Sequence, residues 1–210
     1  MQVSSPTGAL SRKDTQLMSR GSTLFRPGRP TTQLRESSIL LLTNVGEVVS
    51  ERAIIEQVVD TWHVHNKINL LLINKIPTSG FKAVPSGSRG RTVAEQLVHM
   101  NRVRLGWLHY HLTGKRPSLP GAKNAKPTRA QLKKSFVDSG KDVARFLEDA
   151  LKGKAAPRAF QKNAVRWMGY LISHESHHRG QILLALKQNG MKLPETVSLQ
   201  GLWRSWMWGR

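Results

Sequence analysis

Apolar positions recur every three or four residues over four long stretches, and no useful length of chain alternates with period two. The first stretch runs from about Glu51 to Ile76 and stops at Pro77, with Val58, Trp62, His65/Asn66, Asn69 and Ile73 on one stripe. The second opens at "TVAE", where Thr92 and Glu95 fit a capping box, and ends near Gly114. The third opens at "PTRAQ", with Thr128 and Gln131 as another capping box and a stripe of Leu132, Phe136, Val143, Leu147 and Leu151, ending near Gly153. The fourth runs from about Gln161 to Asn189, where Gly190 supplies a left-handed stop. The pattern predicts an all-α four-helix bundle over residues 51–190. The link "KRPSLPGAKNAK" between helices two and three is long enough to cross the bundle, so an up-down-down-up order is expected.

The two ends read differently. Residues 1–50 are polar, rich in Ser, Thr and Arg, and show no periodic apolar face, as expected of a disordered basic tail. A transit peptide, or a start codon placed too far upstream, would leave the same pattern. Residues 191–210 end in the Trp-rich segment "LWRSWMWGR", where Trp203, Trp206 and Trp208 would wall a pocket, meet a second copy or cap the bundle end.

Composition narrows the chemistry. The chain has no cysteine, which excludes disulfides, thiolate ligands and a protein thiol nucleophile. Any metal must be held by His, Asp or Glu, and any thiol must arrive from outside. No apolar run approaches membrane-spanning length, and the chain reads as a cytoplasmic protein. With 33 basic and 13 acidic residues the net charge is +20, and residues 115–166 alone carry 14 Lys/Arg against 4 Asp/Glu. Such a surface attracts nucleic acid, anionic lipid or an anionic small substrate, or is simply a solvated basic face. The basic residues are spread over several segments without a recognition motif, so nucleic acid is disfavoured as the partner and a small molecule preferred. A homodimer, with the Trp-rich segment as a contact, is a further expectation.

Candidate ligands cluster in "SHESHHRGQ", residues 173–181. His174 and His178 are one helical turn apart and share a face with Leu171, Gln181 and Ala185, which points both imidazoles into the bundle. Two adjacent imidazoles in a core pack poorly unless something binds them, and a divalent ion does so. His99 of helix two, on a stripe with Val103, Gly106 and Tyr110, is the candidate third ligand. His177 could pair with His174 at i+3 spacing instead of His178. His109 and His111 are expected at the surface, and His65 in a hydrogen-bonding role. Gln181 could reach a metal-bound group or make an ordinary core contact, and Gly180 would permit close helix approach. His174, Glu175 and His178 also spell H-E-x-x-H, the zinc-peptidase pattern. The extended form fails, because Gln181 and Leu184 stand where Gly and a third His belong, and no strand pattern exists to hold a peptide.

Three features together resemble the DinB/YfiT-like family: "TVAEQLVHM" with His99, a gap of about 75 residues, and "LISHESHHRGQILLAL". "DTWHVHNKINLLLINKIP" is similar to the family's first helix. The resemblance implies a helical bundle whose helix-two His and first and last His of the helix-four motif bind a divalent metal, here His99, His174 and His178, with zinc or nickel expected. It also implies a metal-dependent transferase that uses a low-molecular-weight thiol cosubstrate, or a hydrolase. A non-catalytic metal-binding bundle, a basic nucleic-acid-binding protein and a zinc peptidase are the competing expectations, in that order.

Overall fold

The computed structural model describes residues 50–87 and 89–208. The expected tail, residues 1–50, lies outside them apart from Ser50. Four long helices form the body: α1 (Glu51–Lys75), α2 (Val93–Thr113), α3 (Arg129–Leu151) and α4 (Ala164–Gln188). A π-helical turn at Thr196–Gly201 leads into a short α5 (Leu202–Trp208). No strand occurs among the described residues.

Local chemistry sets the helix limits. The Ser50 hydroxyl accepts from the Ala53 amide at the start of α1. Both capping boxes form, Thr92 with Glu95 and Thr128 with Gln131. Gly114 and Gly190 take the left-handed conformation (φ +75° and +73°) that ends α2 and follows α4. The start of α4 differs from expectation. Phe160, Gln161 and Lys162 all have positive φ and form a left-handed turn, and Asn163 then caps the helix through the Arg166 amide. A regular helix cannot pass through three such residues, so α4 starts at Ala164.

Side-chain contacts fix the helix directions. Arg129, opening α3, donates to the Asn74 and Ile76 carbonyls at the end of α1, while Trp62 Nε1 donates to the Gly140 carbonyl at mid-helix. α1 and α3 are therefore antiparallel. Gln96 meets His178 and His111 meets Trp167, so α2 and α4 are antiparallel as well. Arg104 reaches Ser139, and His111 stacks on Phe146, which makes α2 and α3 parallel. The order is up-down-down-up, and the α2–α3 connection carries the chain back along the bundle.

The interior has two apolar halves. Ile68, Leu72, Leu97, Met100, Phe136 and Ile182 anchor one. Trp62, Leu108, Val143, Leu147, Trp167 and Leu171 anchor the other. Between them lies a polar layer to which every long helix contributes: His65 and Asn69, Arg104, Ser139, and Glu175. Gly140 of α3 permits the close approach in this layer. A Cβ there would fall 2.2 Å from Asn66 Nδ2. Gly180, expected to play that part, faces open space, with nothing within 4 Å of a Cβ.

Candidate metal centre

The polar layer explains Glu175. It is fully buried, and three side chains occupy its oxygens. Arg104 donates Nε to Oε1 (2.6 Å) and Nη2 to Oε2 (2.7 Å). His65 Nε2 and Asn69 Nδ2 donate to Oε2 at 2.8 and 2.7 Å. Burial alone would raise the Glu175 pKa, but the Arg104 guanidinium and the His65 and Arg104 hydrogen bonds outweigh it and hold the carboxyl well below its usual range. Arg104 is itself clamped between the rings of Trp62 and Phe136 (4.8 and 4.6 Å to the centroids). A carboxylate so engaged is not free to activate a water, which removes the general base that a peptidase reading of "HESHH" needs.

His174, the residue before Glu175 on α4, and His178, about one turn beyond it, emerge on the α2 side and converge with His99. One ring nitrogen from each lies within 4.8 Å of the others. His174 Nε2 is 3.2 Å from His99 Nε2. Two nitrogens at about 2.0–2.1 Å from a tetrahedral ion would be about 3.3 Å apart, so this spacing suits a shared ion. His178 Nδ1 donates to Gln181 Oε1 (3.0 Å) and lies 3.3 Å from Gln96 Oε1, which leaves Nε2 as its free lone pair. The His174 ring stacks on Tyr170 at 5.9 Å. Burial lowers the pKa of all three histidines, to about 4 for His99 and His178, with neighbouring cationic groups adding to the effect. Near neutral pH they present three uncharged donors, the form that binds a divalent ion. Among the described residues no carboxylate joins the group.

The remaining histidines sort cleanly. His177 is exposed and accepts from Gln181 Nε2 (2.9 Å), outside the triad. Gln181 thus orients His178 rather than occupying an ordinary core position. His109 is exposed, as expected, but His111 is buried. It packs among Trp107, Phe146 and Trp167, because the stripe that faces the core of α2 is Val93, Leu97, Met100, Arg104, Leu108 and His111. The row Val103, Gly106 and Tyr110, expected in the core, instead lines a cleft of about 570 Å³ that runs from His99 past Trp107. Arg102 and Arg116 stand in the wall of that cleft. Gln96 and Arg104, which sequence reasoning missed, had one available signal: both sit at three- or four-residue spacing within an apolar stripe, where a polar residue needs a buried partner.

No curated protein matches the chain. The sequence model of the DinB family matches residues 49–205, which takes in all four long helices, the histidine triad and the first part of α5. With that match over most of its length, the chain belongs to the DinB family.

Proposed function

We propose that His99, His174 and His178 hold one divalent ion, zinc or nickel, and that the protein is a metal-dependent transferase acting with a low-molecular-weight thiol in the cytoplasm. The observation that carries the reading is the convergence of three uncharged imidazoles, from two helices, at the end of a cleft. A divalent ion with neutral ligands supplies its full charge locally and lowers the pKa of a neighbouring thiol or water.

The chain's own groups do the rest. Gln181 and Gln96 fix the ring of His178 through Nδ1. Trp107, Val103 and Tyr110 offer apolar surface for the acceptor, and Arg102 and Arg116 offer charge to an anionic cosubstrate. With no cysteine in the chain, the sulfur must come from the cosubstrate. Its thiolate attacks the acceptor, the new S–C bond forms as the leaving group departs with its electron pair, and the thiol proton passes to solvent. A thiolate nucleophile needs no protein carboxylate, which agrees with a triad whose neighbouring carboxylate, Glu175, is already held by Arg104.

The test is product formation from a thiol and an electrophilic acceptor by metal-loaded protein, followed by mass spectrometry. Turnover that chelator and His99→Ala both abolish supports the reading. Stoichiometric metal without thiol-dependent turnover would leave a non-catalytic metal-binding bundle.

A further inference from the structure

The polar layer contains two buried arginines, Arg104 and Arg179, and one buried carboxylate, Glu175, among the described residues. Arg104 takes both oxygens of Glu175. Arg179, 9% exposed, has only neutral hydrogen-bond partners: Asn69 Oδ1 (2.9 Å), His65 Nδ1 (3.4 Å) and Ser176 Oγ (2.6 Å). Glu175 also favours the Arg179 charge, but it is shared with Arg104, so the layer keeps one cation in excess. An excess buried cation is costly, and the cost falls when an anion reaches it.

The way in exists. Arg179 lines a second cleft of about 450 Å³, formed by α1, α4 and α5. Its walls are apolar, from Ile68, Leu183, Trp203 and Trp206, and Gly180 leaves its α4 side open. Arg179 still has N–H groups unassigned, since its three bonds come from Nη1 and Nη2 and a guanidinium carries five donors. An apolar slot that ends on a buried guanidinium matches a molecule with a hydrocarbon or aromatic body and one carboxylate.

We propose that this cleft is a second ligand site, independent of the histidine triad, which binds an amphipathic carboxylic acid with its carboxylate on Arg179 and its apolar body between Trp203, Trp206 and Leu183. The reading of the triad does not enter the argument.

Octanoate is the probe, titrated calorimetrically into the full chain, with octanol and octylamine as controls. Octanoate should bind saturably, and octanol and octylamine at least about tenfold more weakly, the margin expected of one charge-assisted contact. Gly180→Leu fills the cleft from a helix position with free space and should abolish binding while keeping the helical circular dichroism. If Gly180→Leu disturbs the fold, Trp203→Ala, at a residue 58% exposed, should weaken octanoate about tenfold instead. Binding should survive both chelator and His99→Ala. Equal affinity for octanol, binding that persists in both cleft variants, loss of binding with His99→Ala, or no saturation at millimolar octanoate would each overturn the proposal.

Discussion

Arg104 of α2 and Glu175 of α4 meet at the centre of the bundle through two parallel hydrogen bonds, with neither side chain reaching solvent. The pair sits one residue along α4 from His174, so the helix that carries most of the triad also carries the bundle's buried ionic anchor. One residue is about 100° of helix, so Glu175 lies to one side of the direction in which His174 points. Its substitution is therefore a test of stability, not of a catalytic base. Glu175→Gln leaves Arg104 without its anion in a dry interior and should lower stability by about 3–5 kcal/mol. Urea denaturation checks this, and an unchanged midpoint would count against the pairing.

Purified without chelator, the protein should carry about one zinc or nickel ion per chain. His99→Ala, His174→Ala and His178→Ala should each lose it, whereas His177→Ala should keep it. Elemental analysis decides the matter. Metal loss in His177→Ala with retention in His178→Ala would mean that α4 is rotated from the geometry described.

Gly140→Ala should be destabilising although it normally favours a helix. Its methyl would meet Asn66 in the polar layer, and relief would require moving the Asn66 contact to Arg104 (2.7 Å). The expected loss is about 1–3 kcal/mol. Gly180→Ala, by contrast, should be neutral or mildly stabilising by thermal melting, since nothing stands within 4 Å of the new methyl.

Acid should loosen the metal-free fold as pH falls below about 6.5. His99, His111 and His178 are lowered from 6.5 to about 4, with burial as the leading cause. Between those values the unfolded chain binds protons that the folded chain refuses. Their contribution is therefore intact above about pH 6.5 and drains away as pH falls towards 4. Melting temperatures across this window check it, and a flat profile would show that the three rings are more hydrated than their surroundings imply.

The four long helices were legible in the sequence because their caps and stripes agree. Thr92/Glu95 and Thr128/Gln131 mark starts that the structure keeps, and Trp62, Phe136 and Leu171 mark faces that it buries. Convergence of His99 with the α4 pair was legible through spacing on one helix and a family resemblance on the other. The α2 register was not. Arg104 and His111 occupy its buried face, and a polar side chain there hides the stripe, while Val103, Gly106 and Tyr110 mimic one along the cleft. The left-handed turn at Phe160–Lys162 left no sign either, because none of its residues is Gly or Asn.

The triad is divided between helices separated by 75 positions of sequence, one imidazole on α2 and two on α4. During synthesis α2 leaves the ribosome long before α4, so His99 spends that interval as a lone imidazole with little hold on any ion. The His174/His178 pair can gather as soon as α4 coils, yet its third member becomes available only when the last long helix docks. Capture of the proposed ion would thereby be tied to the end of folding, and a chain that stalls or truncates before α4 would lack two of the three imidazoles.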